Sequence, residues 1–249
     1  MKNVKDTLLQ RRSIRRYERE PITDEQMGFI YDAIRNTPTS YNGQQYSVID
    51  ITDQELKEKL YVLTNQKQIK TSAHFMVFCA DFHKITLGAK AKGIDMPDFT
   101  HTLDGLFVGT IDAALAMMSA VTAAESMGLG TCCIGYARTA APDEFARILE
   151  LPEGVMVVCG LAIGVPREMP DLKPKEPKEL AIHSNRYSSD ENLTTAIMTY
   201  DSIVQEYNAT RSGTKTDNDW IDHIIGYYRE AMSYKMLDAV RKRGFDPER

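Results

Sequence analysis

Four arginines fall within six positions near the N-terminus, in the run Arg11-Arg12-Ser13-Ile14-Arg15-Arg16-Tyr17. A guanidinium carries a permanent charge and a planar fork of donors that matches the oxygens of a phosphate. Ser13 adds a short hydroxyl. The same run also reads as a solvated basic turn. Two observations favour an anion site. The 249-residue chain is acidic overall, with a formal net charge of −5, so the cluster stands against the trend. A second basic stretch, Lys173-Pro174-Lys175, lies far downstream in a Pro-rich loop, and two separate cationic segments are able to close on one phosphate.

Other segments carry polar chemistry without charge. Residues 37–45 (Thr, Pro, Thr, Ser, Tyr, Asn, Gly, Gln, Gln) are dense in side-chain donors and acceptors, which suits either a plain connection or the lining of a polar ligand. In Asn65-Gln66-Lys67-Gln68, a neutral amide such as Gln66 both donates and accepts. The run Gly128-Leu129-Gly130-Thr131-Cys132-Cys133-Ile134-Gly135-Tyr136 is glycine-rich but is not a dinucleotide fingerprint, because its third glycine position holds Cys133 and its glycines follow a helix and precede a strand. Gly128 or Gly130 reads as a helix C-cap. Gly135 lets a planar ligand approach the backbone.

These candidates need elements to position them. Val4, Leu8 and Leu9 are at helical spacing, which places the arginines near the end of a short helix. Thr23 to Gln26 is a capping-box pattern, and Met27, Ile30, Tyr31 and Ile34 form the apolar stripe of a helix over 23–36. Strands are expected at 46–52, 75–80 and 155–164, and in the run after Gly130. Helices are expected at 54–63, with Leu56, Leu60 and Leu63 inward, and from Pro142 to Leu149. Residues 84–101 read as an irregular excursion. Residues 104–127 are apolar around most of a helical circumference, which marks a buried helix of the core and of a dimer interface, or of a monomer's interior. From Ser189 onward the chain reads as polar helix, with a loop at Thr210–Lys215 and a final helix from about Asp219 to Arg243.

Composition narrows the classes. An acidic chain is not a general nucleic-acid binder. No apolar run approaches the roughly 20 residues of a membrane span, and the N-terminus carries no apolar signal segment, so a cytoplasmic location is expected. The four cysteines, Cys79, Cys132, Cys133 and Cys159, sit in apolar strand-like runs and read as small core residues. The five histidines lack metal-ligand spacing, so no metal site is expected.

Arg11 to Tyr17 followed by Glu20-Pro21-Ile22 resembles the opening of the nitroreductase superfamily, and most closely its branch of oxygen-insensitive NADPH nitroreductases and NADPH-flavin oxidoreductases. The resemblance runs from about residue 8 to about 245. It implies an α+β fold, with a mixed, mostly antiparallel sheet flanked by helices. It further implies an intertwined homodimer built from a single domain over 1–249, in which 189–249 wraps the partner subunit. It implies FMN as cofactor and NADPH or NADH as co-substrate, in a ping-pong cycle that passes hydride to nitroaromatics, quinones or free flavin. Arg11, Arg15, Lys173 and Lys175 match the phosphate positions; Arg12 and Ser13 match contacts to the flavin or ribityl chain. Gln66, Cys133, Ile134 and Gly135 match the ring edge. Thr39 and Ser40 match a loop reaching the partner's flavin, and His183 and Tyr187 a pair beyond the lysines. Arg211, with Lys215, matches the loop that takes the nucleotide's 2′-phosphate. Tyr41, Tyr136 and the residues Thr216 and Asp217 depart from the family pattern. They leave open a flavin-binding sensor or carrier without efficient turnover, and a phosphate-ligand binder without flavin stands as a third reading.

Overall fold

The computed structural model describes residues 2–247, which divide into two compact units, residues 2–168 with 235–247, and residues 169–234. In chain order the first unit contains α1 (Val4–Gln10), α2 (Asp24–Arg35), β1 (Tyr46–Ile51), α3 (Gln54–Thr64), α4 (Lys67–Thr71), β2 (His74–Asp81), α5 (His83–Lys92), α6 (Leu103–Ser126), β3 (Gly130–Ile134), α7 (Tyr136–Thr139), α8 (Pro142–Ile148) and β4 (Val155–Gly164). The second contains α9 (Lys178–Ala181), α10 (Asp190–Thr210) and α11 (Trp220–Ala231), and α12 (Met236–Lys242) belongs again to the first.

The four strands form one sheet in the order β1-β2-β4-β3, every neighbour antiparallel. The parallel element is a single bridge between Ser13 and Thr131. Both faces of the sheet are covered, which is why β2 and β4 read as unbroken apolar runs. Met76, Phe78, Leu161 and Ile163 face the core shared with α2 and α6. Phe75, Val77, Ala162 and Cys132 face a second core with Leu60, Ile69 and Phe145. This is the α+β architecture expected.

Helix α2 begins as its sequence predicts. The Thr23 hydroxyl accepts from the Gln26 amide at 3.2 Å, and the Gln26 side chain accepts from the Thr23 amide at 3.1 Å. Met27, Ile30 and Ile34 are buried, whereas Tyr31 stays exposed and donates to Asp50 at 2.6 Å. Two expectations are corrected. Residues 83–92 are a helix, not an irregular excursion; α5 buries no residue, so its sequence shows no apolar period. The final helix is two helices, broken over residues 232–235.

Helix α6 is the longest, and it is two-sided. Val108, Ala113, Ala116, Ala120 and Ala124 are buried, while Phe107, Ile111, Leu115 and Met118 are exposed on another side. By length and composition it suffices to cross a membrane, with mean hydropathy 1.7 over its apolar window, which corrects the expectation that no apolar segment reaches that length. The interspersed Gly, Ala, Ser and Thr hide this in a scan for bulky runs. The helix ends in a Schellman-type turn: Gly128 at φ +85°, with the Leu129 amide donating to Ala124 O at 3.1 Å. Gly128 is therefore the capping glycine, and Gly130 is the first residue of β3.

Candidate functional site

The arginine segment leaves α1 as extended chain and is pinned along its length. Ile14 N–H donates to Thr131 O at 2.8 Å, joining the segment to β3. Further on, Arg167 N–H donates to Arg16 O at 3.0 Å and Glu18 N–H to Val165 O at 2.9 Å, joining it to the chain that leaves β4. Ile14 and Tyr17 are buried anchors. Gly130 has no side chain because Ile14 occupies that space; a Cβ there would stand 2.8 Å from Ile14 Cβ. The Tyr17 hydroxyl lies 2.7 Å from Ile14 O and 3.2 Å from Ala162 O, and burial pushes its pKa upward.

With the backbone thus held, the side chains between the anchors stay outside the core. The guanidinium groups of Arg11 and Arg15 make no hydrogen bond or ion pair among the described residues. Arg12 Nε donates to Gln10 O at 3.2 Å, and Arg16 lies 3.8 Å from Glu168.

Two carboxylates that the sequence reading missed support this segment. Glu125, near the end of α6, is buried and accepts from the Thr131 hydroxyl at 2.7 Å, directly behind the residue that holds Ile14. Burial pushes its carboxyl above the ordinary carboxylate range, against the opposing pull of the Thr131 hydroxyl and of Arg11, Lys2 and Arg12. Glu168 accepts from the Arg15 amide at 2.7 Å and the Arg16 amide at 3.2 Å. Glu125 was legible only as a charge interrupting an apolar helix; Glu168 lies more than 150 positions from its partners and gave no local signal.

The structure brings other predicted residues toward β3. Gln66 precedes α4, and its side chain accepts from Gln68 Nε2 at 2.8 Å; that nitrogen lies 4.0 Å from Cys132 Sγ. Burial raises the Cys132 thiol, and the charge of Arg15 opposes that rise. Ile134 is buried. Cys133 is exposed, contrary to the expectation of a core thiol, and lies on the sheet face opposite Cys132; desolvation and the neighbouring thiols still push it up to about 11. At Gly135 the space a side chain would take is open, the nearest protein atom being Arg138 Nη2 at 3.9 Å. Tyr136 packs against the second core.

Thr39 and Ser40 sit elsewhere in the unit, and no hydrogen bond among the described residues joins their loop to the arginine segment. Asp112, fully buried in α6, holds that loop by accepting from Ser40 N at 3.0 Å and Gln45 N at 3.0 Å. Between these two points Tyr41, Asn42 and Gln44 all take left-handed backbone (φ +58°, +55° and +53°), and Tyr41 is 83% exposed. Non-glycine residues in that region store strain that concentrates at functional segments. A groove of about 750 Å³ adjoins the loop, lined by Val4, Phe29, Pro38, Leu115 and Met118 among others.

In the second unit Lys173 and Lys175 are exposed, and the Pro174 carbonyl between them accepts from Tyr200 at 3.2 Å. Tyr200 packs edge-on against Trp220, 5.4 Å between ring centres, and Asp201 accepts from the Trp220 and Ile221 amides that start α11. His183 and Tyr187 do pair, with ring centres 4.3 Å apart. Arg211 Nε donates within its own loop to Thr214 O at 2.5 Å, and Asp171 accepts from the Ser212 amide at 2.7 Å. Among the described residues no group of His, Cys, Asp and Glu is arranged to hold a metal ion.

Residues 8–165 match the model of the Nitroreductase family, and residues 173–248 that of the Nitroreductase family, C-terminal domain. The chain is 37% identical to an FMN reductase [NAD(P)H] of Bacillus subtilis over the whole of both chains. It is 38% identical to an oxygen-insensitive NADPH nitroreductase of Salmonella typhimurium, over 94% of each. Among solved structures, the NfrA1 nitroreductase from B. subtilis superposes with a TM-score of 0.94 at 33% identity, covering 98% of this chain and 99% of that one. The NADPH:FMN oxidoreductase from Vibrio harveyi, solved with NAD+, gives 0.86 at 28% identity over 99% of each. Fold, arginine segment and both family matches agree along nearly the whole sequence, and the chain belongs to the nitroreductase family.

Proposed function

We propose that the protein is an FMN-dependent NAD(P)H oxidoreductase acting on nitroaromatics, quinones or free flavin. The observation that carries the reading is the pair of unpartnered guanidiniums, Arg11 and Arg15, on a backbone fixed at both ends. Fixed, unpaired cations suit a phosphate monoester, whose oxygens accept charge-assisted bonds. The open space at Gly135 and the amide of Gln66 suit a planar ring with a donor-acceptor edge. The residues present fit FMN. Arg11 and Arg15 hold the phosphate; Lys173 and Lys175, in the second unit, match basic phosphate positions of the family. Arg12 and Ser13 hold the ribityl chain and flavin edge, and Gln66, Cys133, Ile134 and Gly135 border the ring. When bound, FMN supplies the hydride chemistry, and the protein supplies position, electrostatics and exclusion of water.

A homodimer completes the reading. The exposed stripe Phe107, Ile111, Leu115 and Met118 and the groove beside it, which Leu115 and Met118 also line, form a continuous apolar surface of the kind that marks an interaction site. In the dimer Thr39 and Ser40 serve the partner's site, and of the stretch expected to embrace the partner residues 189–234 do so, whereas Val240 and Phe245 pack into the core of their own first unit. Buried Asp112 argues that α6 is a core and interface helix, not a membrane span, in a cytoplasmic protein. Arg211 and Lys215 take the 2′-phosphate of NADPH.

The visible spectrum of the purified protein, followed by anaerobic addition of NADPH and NADH separately, tests this. A yellow protein bleached by either nucleotide supports the oxidoreductase, and the relative rates give the nucleotide preference. A yellow protein bleached by neither is a flavin carrier. A colourless protein that takes up no FMN overturns the site.

A further inference from the structure

We propose that Glu168 is a positioning residue for the anion site, and that it sets the preference for a phosphorylated flavin over the same flavin without phosphate. The inference rests on the reading of Arg15 as a phosphate ligand.

The argument is geometric. Glu168 Oε1 accepts from two successive amides, Arg15 N at 2.7 Å and Arg16 N at 3.2 Å. Those amides belong to the peptide planes on either side of the Arg15 Cα. Holding both planes fixes φ and ψ of Arg15, and with them the direction of its Cα–Cβ bond. The Thr131 carbonyl holds the chain one residue before, and Arg167 holds it one residue after, but Glu168 alone takes the Arg15 amide among the described residues. Its side chain is largely buried, at 26% exposure, whereas the Arg16 side chain facing its other oxygen is 80% exposed. The amide contacts are therefore the ordered part of the arrangement. The outcome is an exposed arginine without a partner, rooted in a backbone that has one conformation.

A carboxylate beside a phosphate site admits a competing role of opposite sign. Acting only as a charge, Glu168 would repel the phosphate, and its removal would tighten binding. Acting as an acceptor that aims Arg15, it strengthens binding despite its charge.

The test uses the whole chain stripped of flavin, titrated with FMN and with riboflavin and followed by quenching of flavin fluorescence. The wild type, Glu168→Ala and Glu168→Gln are compared. Glu168→Ala is expected to weaken FMN binding by roughly tenfold or more, since bonds to an ionised acceptor are among the stronger ones, and to leave riboflavin binding unchanged. Glu168→Gln keeps an oxygen that accepts from both amides and is expected to recover most of the FMN preference. Tighter FMN binding in both variants overturns the proposal in favour of a simple charge. Equal losses for FMN and riboflavin in Glu168→Ala overturn it in favour of a general support of the fold. A wild type that binds riboflavin as tightly as FMN removes the phosphate role of the arginines themselves, which is a separate failure.

Discussion

Glu125 and Thr131 are buried together, carboxylate to hydroxyl at 2.7 Å, behind the backbone that carries Ser13 and Ile14. Burial raises the Glu125 carboxyl above its ordinary value. A raised carboxyl holds its proton in the folded state where the unfolded chain has released it. Stability therefore falls as pH rises from the ordinary carboxylate value through the raised one, and is level above it. Glu125→Gln, which mimics the protonated form, is expected to gain on the wild type as pH rises through that window. Melting temperatures of both proteins without flavin, from about pH 4 to pH 7.5, check this; parallel profiles would contradict it.

Asp112 holds a strained loop from inside an apolar helix. Asp112→Ala leaves the Ser40 and Gln45 amides without their acceptor and is expected to cost about 2–4 kcal/mol of stability, read from urea denaturation. The loss should be accompanied by faster proteolysis within 39–45, because the left-handed residues there have no other tether at those two amides.

Arg15 and Arg16 are neighbours with different fates. Arg15→Ala removes an unpartnered cation and is expected to lower FMN affinity by roughly tenfold or more. Arg16→Ala removes an exposed side chain already facing Glu168 and should change affinity by less than about threefold. Calorimetric titration of each variant with FMN decides it, and equal effects would undo the assignment.

The proposed dimer rests on the outward stripe of α6. Leu115→Glu places a charge in the middle of an apolar groove and is expected to halve the molar mass measured by light scattering, with loss of bound flavin because Thr39 and Ser40 no longer reach a partner site. An unchanged mass would place the interface elsewhere.

Features set by neighbouring residues were legible in the sequence. The Thr23–Gln26 box and the double-faced strands follow from local spacing, which also narrowed the cap of α6 to Gly128 or Gly130. Helix α5 was not, because it buries none of its residues and meets the core only through the half-buried Ile85, too little to impose an apolar period. Tyr31 looked like core because it falls on the stripe, yet Asp50 draws its hydroxyl to the surface. In the candidate site the cations were legible as cations, but their supports were not. Asp112 and Glu125 showed only as breaks in an apolar pattern, and the bond from Glu168 to Arg15 crosses most of the chain. Cys133 was misplaced because its exposure depends on what covers that one position of the edge strand β3, which the apolar run does not report.

Between Asp112 and Glu125, helix α6 rises about 20 Å. One stiff rod thus carries two mountings, one for the strained loop and one beneath the arginines. Inserting a single residue between them would turn one mounting relative to the other by about 100° and unseat both. An insertion or deletion in this stretch should therefore disturb the loop and the arginine segment together, even where it replaces none of the residues that face them.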